Sequence, residues 1–136
     1  MEFETVRQLA KVGEPVTNDE FANSAMLPIV VNAAYNPQIN GFEVPAAILQ
    51  PGVFEPDLPA PVYFCRLGAI LGHEMTHGFD SRLFDADGNL RDWWTPQDIT
   101  AFDAQAQKLI DQANSFKGLP GVTINGELTV TENMAD

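Results

Sequence analysis

The stretch from Val62 to Phe79 leaves this chain the least choice. Its apolar residues Tyr63, Leu67, Ile70 and Leu71 recur at helical spacing. Ahead of it runs Gln50 to Pro61, so rich in proline that missing amide donors and fixed φ angles confine it to a loop. A helix over 62–79 places His73 and His77 near its C-terminal end. Four residues apart on a helix, they share a face and can present imidazole nitrogens to one cation, as tetrahedral zinc requires of two ligands. Glu74 sits one position round the helix, where a carboxylate can reach a water beside such a cation and act as a general base. The plainer reading is an exposed helix end with two solvated histidines. Against it, the chain has only two histidines, and both fall in the His-Glu-x-x-His pattern.

A catalytic zinc site needs a third protein ligand and an open position. With no histidine left, that ligand should be a carboxylate, and the candidate is Glu132. Asp136 follows four residues later on the same face of a predicted helix, so one carboxylate could bind metal while the other orients a ligand histidine. Spacing alone leaves an ordinary solvated acidic face equally open. Asp80 lies three residues after His77 and seven after His73, so it too shares their face and could orient an imidazole; as a carboxylate at a helix C-terminus it sits against the helix dipole.

The rest of the chain reads as a mixture of helices and a small hairpin, an α+β arrangement. Met1 to Lys11 is weakly helical, and Gly13, Pro15 and the polar run Thr17 to Glu20 form a loop. Ile29 to Val31 leads as a strand into Asn32-Ala33-Ala34-Tyr35, and after turn-formers at 36–41 a second strand runs from Phe42 to Val44, bounded by Pro45. Asn32 and Ala33 on a strand edge could dock a peptide by backbone pairing. Asp85 to Asn89 is a turn, but its glycine comes too early and no glutamate closes it, which argues against calcium. Trp93 and Trp94 are read as packing residues. Thr95, Pro96 and Asp98 open a capped helix that stops near Gly118. Val122 to Glu127 is read as a short strand or hairpin, and Leu128 to Asp136 as the start of another helix. Cys65 is assigned to helix packing and excludes an internal disulfide framework.

Composition narrows the partners. A net charge of −12, with seven Lys and Arg among 136 residues, disfavours nucleic acid and anionic membrane, which need basic patches. The longest apolar run, near Pro59 to Leu71, is broken by Arg66 and is too short to span a bilayer, and Met1 to Lys11 is charged rather than signal-like. The sequence therefore leaves localisation open between bacterial cytoplasmic and secreted. The lack of disulfide cysteines favours a bacterial relative over a secreted animal one.

Taken together, these segments resemble the neprilysin family of zinc endopeptidases, which includes the bacterial oligopeptidases. The resemblance runs from about Gly13 to Asp136. It is carried, in family order, by Gly13-Glu14-Pro15-Val16, Val31-Asn32-Ala33-Ala34-Tyr35, Pro45-Ala46-Ala47-Ile48-Leu49-Gln50-Pro51, Gly72 to Asp80, Asp87-Gly88-Asn89-Leu90 with Trp93-Trp94-Thr95, and Glu132-Asn133-Met134-Ala135-Asp136. It implies a thermolysin-like core in which His73, His77 and Glu132 hold one zinc ion and Glu74 activates water. Asp136 and Asp80 match the family's carboxylates behind the ligands; Asp136 is paired with His73, though sequence leaves open which aspartate serves which histidine. Asn32 and Ala33 match the substrate-binding edge strand. The implied reaction is hydrolysis of internal bonds in short peptides.

The family's members are several times longer. Their helical cap, their oxyanion-stabilising histidine and their substrate-binding arginine have no counterpart in these 136 residues. The expectation is thus a single partial catalytic domain over 1–136, a piece of a larger enzyme that is weakly active or inactive alone, since a missing oxyanion donor costs about 10²–10³ in rate, and prone to self-association through surface the remainder would cover. The competing readings are a non-catalytic zinc- or peptide-binding module, which would have no use for Glu74, and a hydrolase of small amides, which a peptide-docking strand disfavours.

Overall fold

The computed structural model describes residues 2–14, 26–80 and 82–136; the loop expected at Thr17 to Glu20 lies outside them. Five α-helices and one two-stranded antiparallel sheet make up the described fold: α1 (Glu2–Leu9), β1 (Ala34–Asn36), β2 (Gly41–Glu43), α2 (Ala60–Cys65), α3 (Leu67–Thr76), α4 (Pro96–Ser115) and α5 (Gly126–Ala135). Short 3-10 turns at Ala46–Ile48 and His77–Phe79 join them. No described helix is long and apolar enough to cross a membrane.

The single helix expected over 62–79 is three pieces. Arg66 leaves helical geometry (φ −109°, ψ −97°) and separates α2 from α3. Its guanidinium reaches back 3.0 Å to Glu55 in the proline-rich loop, whose carboxylate also accepts from the Gly52 N–H at 3.1 Å and whose carbonyl accepts from the Tyr63 hydroxyl. These contacts tie the loop to the break. Cys65, expected in packing, is exposed at the end of α2.

The hairpin register pairs Ala34 with Glu43, Tyr35 with Phe42 and Asn36 with Gly41. Asn32 and Ala33 therefore lie just before β1 rather than within it. Continuing the register would set Asn32 opposite Pro45, which has no N–H to donate, so the ladder stops. Ile29 to Val31 is likewise no strand: Ile29 and Val31 are well exposed, and the segment is fastened by Pro28, whose carbonyl accepts from Ala47 N at 2.9 Å. The stretch expected as a strand over 122–127 contributes only an isolated bridge, Lys117 to Thr123, before Asn125 caps α5 through its side chain.

A folded turn at 84–91 braces the hairpin. Asp85, buried, accepts from the N–H groups of Asp87 and Asn89 and from Arg91 Nε at 2.6 Å. The Asn89 amide above all, with Arg91 assisting, holds its carboxyl below the usual range. Gly88 (φ +77°) lies so close to the hairpin that an added Cβ would sit 2.0 Å from the Gln38 carbonyl oxygen. Gly88→Ala is expected to cost about 1–3 kcal/mol, read as a lower denaturant midpoint, since both the left-handed backbone and the contact oppose a side chain.

Helix α4 opens on a reciprocal cap: the Asp98 N–H donates to Thr95 Oγ1, and Asp98 accepts from the Thr95 N–H, with Pro96 at the first turn. The Thr95 hydroxyl above all, and then the Thr95 N–H, draw the Asp98 carboxyl below its ordinary value. Trp94 packs edge-on against Phe102 at 4.9 Å, with Arg82 over both rings, while Trp93 stays half exposed and donates to the Phe84 carbonyl. Among the described residues the buried apolar side chains are small for the most part: Ala33, Ile48, Ala106, Ala113 and Ala135. Small residues let helices approach closely. At Gly126 an added Cβ would meet the Ile110 carbonyl oxygen at 2.4 Å, and the Gly126 N–H donates to Asn114 Oδ1 at 2.8 Å. So α5 is seated on α4, and it also packs against α3.

Candidate metal centre and cleft

The crossing of α3 and α5 brings three donor atoms to one point. His73 Nε2 and His77 Nε2 are 3.1 Å apart, and Glu132 Oε2 lies 3.2 Å from the first and 3.8 Å from the second. The rings meet edge to face at 89°. A tetrahedral ion with ligands about 2.0–2.2 Å away sets its donors roughly 3.3 Å apart, so the trio fits zinc closely.

Each imidazole is anchored by its other nitrogen. His73 Nδ1 lies 2.8 Å from Asp136 Oδ1, and His77 Nδ1 lies 2.5 Å from Asp80 Oδ2. A carboxylate at Nδ1 fixes the ring's orientation and leaves Nε2 turned to the shared point. Burial alone would lower the basicity of His73, but the Asp136 hydrogen bond and charge, with Glu74 and Glu132 nearby, outweigh it and raise the pKa. The two anchors differ in reach: Asp80 caps the 3-10 turn that directly follows α3, whereas Asp136 caps the end of α5, 63 residues from its histidine.

Glu74 is buried on α3 and lines the same cleft of about 420 Å³. Asn32, Ala33 and Ala34 form its opposite wall, so every candidate site residue except Asp136 lines the cleft directly, Asp136 acting from behind His73. Tyr35 and Pro37 also line it; neither was singled out from the sequence. An aromatic residue two positions after Ala33 was the available signal. Burial, then the charge of Asp80, raises the Tyr35 pKa.

Two histidines and a carboxylate converging beside a buried glutamate, across from an extended segment, define a candidate metallohydrolase centre. The profile described as peptidase family M13 matches residues 32–136, and the chain belongs to that family. Neprilysin-1 of Caenorhabditis elegans is 45% identical over 127 residues, covering 90% of this chain and 16% of its own length. Human neprilysin is 39% identical over 140 residues, covering all of this chain and 18% of its own. In three dimensions, the crystal structure of the Mycobacterium tuberculosis zinc metalloprotease ZMP1 in complex with an inhibitor superposes with a TM-score of 0.78 at 41% identity, over 95% of this chain and 20% of that one. The chain thus spans less than a quarter of the length of these relatives.

Proposed function

We propose that the chain carries the zinc-binding and base-bearing core of a metalloendopeptidase, a partial catalytic domain of thermolysin-like design. The observation that carries this reading is the convergence of His73, His77 and Glu132 donor atoms to within 3.1–3.8 Å of one another, with Glu74 buried in the same cleft. His73, His77 and Glu132 would hold a single Zn²⁺. An ion bound there would polarise a carbonyl and lower the pKa of water.

The chain's own residues divide the remaining work. Glu74 takes the proton from the attacking water as its oxygen bonds to the scissile carbonyl carbon. It then delivers that proton to the amine nitrogen as the carbon–nitrogen bond breaks. Asp136 and Asp80 keep the two imidazoles in register. The backbone of Asn32 to Ala34 aligns an extended peptide, which points to internal bonds of short peptides as substrate. The large share of exposed apolar side chains, Phe64, Phe79 and Leu128 among them, supports self-association of this chain as well, read by light scattering across concentration.

The test is to titrate the chain with Zn²⁺ and follow an internally quenched peptide. Zinc at one equivalent with chelator-sensitive cleavage is the expected result. Failure to take up zinc would overturn the site; zinc uptake with no cleavage would leave a zinc-binding module or an inactive piece of the enzyme. Asp136→Ala is expected to lower zinc affinity about 10- to 100-fold, measured by chelator competition, because His73 loses its orienting partner.

A further inference from the structure

We propose that Tyr35 is a positioning residue that sets the spacing between the Asn32–Ala34 wall of the cleft and the turn bearing His77 and Asp80. This rests on the peptidase reading above and adds to it a determinant of peptide binding. Tyr35 leads out of the extended wall, and its ring lies against Gly78, in the middle of that turn. A Cβ placed on Gly78 would be 3.3 Å from the Tyr35 hydroxyl oxygen and 3.4 Å from Cζ and Cε2, so the contact is already tight.

The ring is held from its far side too. Its hydroxyl donates to Asn40 Oδ1 at 2.8 Å, and Asn40 Nδ2 donates to the Ala86 carbonyl at 3.1 Å. Asn40 occupies the left-handed region (φ +46°), a conformation asparagine tolerates, and this aims its amide at both partners. The chain of contacts therefore runs from the turn at 84–91, through Asn40, to the Tyr35 hydroxyl, and through the ring to the His77–Phe79 turn.

Tyr35 is also a partition. On one side of it is the cleft with His73, Glu74, His77 and Glu132; on the other is a hollow of about 340 Å³ walled by Phe42, Met75, Phe84 and Trp93. Among the described residues it alone lines both. Removing the ring would join the two spaces and let the wall move relative to the histidines. Of the metal donors, His73 and Glu132 stand on α3 and α5; His77 opens the turn that Tyr35 packs against, and its ring is fixed separately by Asp80.

The experiment measures zinc affinity and, separately, the affinity of a fluorescent hexapeptide for the zinc-loaded chain with Glu74→Gln, which prevents turnover. Tyr35→Ala is expected to weaken peptide binding about tenfold or more while zinc affinity stays within about twofold. Tyr35→Phe keeps the ring on Gly78 and is expected to recover all but about threefold, the share of one hydrogen bond. Asn40→Gly removes the side chain without straining the backbone and should show the same threefold loss. Equal peptide affinity in Tyr35→Ala and its parent, or zinc and peptide affinity lost in parallel, overturns the proposal. Should Tyr35→Ala not fold, unchanged peptide affinity in both Tyr35→Phe and Asn40→Gly overturns it. A parent that takes up zinc but binds no peptide would sink the peptidase reading, and this one with it; a failure confined to the variants touches only the role of Tyr35.

Discussion

Glu74→Gln is expected to lower peptide cleavage by about 10²- to 10⁴-fold while zinc affinity changes by no more than about twofold. The exchange keeps the shape of a buried side chain on α3 but turns one acceptor oxygen into an NH₂ donor and removes the charge, and with it the ability to take up a proton. Glu74 is not among the three converging donors, so metal uptake should be indifferent to it. Cleavage assays paired with zinc titration on the same preparation check both halves. Retention of full cleavage would assign the base elsewhere, and Asp80, which also lines the cleft, would be the next residue to test.

Gly126→Ala is expected to be nearly as damaging at a site far along the chain from the histidines. The new methyl group would collide with the Ile110 carbonyl oxygen, and an oxygen in the middle of α4 has nowhere to move. Overpacking of this kind costs about 1–3 kcal/mol. The cheapest relief is for α5 to lift from α4, which carries Glu132 and Asp136 away from His73. Zinc affinity should therefore fall by an order of magnitude or more, converting that energy at about 1.4 kcal/mol per tenfold. Gly118→Ala is the control: its Cβ would make only an ordinary 3.5 Å contact with the Val122 carbonyl oxygen. If Gly126→Ala binds zinc like the parent, α5 is positioned by something other than its seat on α4.

What was legible in the sequence follows the range of the interactions. His73, Glu74 and His77 are found by helical spacing because their arrangement depends on one turn of one helix. Thr95 and Asp98 are equally local. Glu132 and Asp136 required chemistry as well, namely what a metal centre with two histidines still lacks. The errors have tertiary causes. Periodicity carried the helix straight through Arg66, because the pull of Glu55 on its guanidinium comes from a loop eleven residues earlier. Apolar, β-branched Ile29 to Val31 looks like a strand, yet a strand needs a partner, and Pro45 denies the register one. Tyr35 went unnoticed because its partners, Gly78 and Asn40, meet it only once the hairpin lies against the turn after α3. Glycine at 126 fell inside the short strand or hairpin expected over 122–127 and is instead a close approach of α5 to α4.

The unequal reach of the two aspartates has a consequence for how the centre assembles. The His77–Asp80 pair is closed by three residues of chain and needs no docking partner, whereas the His73–Asp136 pair and Glu132 exist only when α5 is in place. With so few large side chains buried, α5 is a natural unit for local opening. Lifting it would turn a three-donor cradle into a two-donor one without unfolding α3. An ion that prefers three donors then acts as a latch on the last helix, and its free concentration sets how much of the population keeps that helix closed. Amide exchange along α5, slowed by zinc while α2 exchanges as before, would make that latch visible.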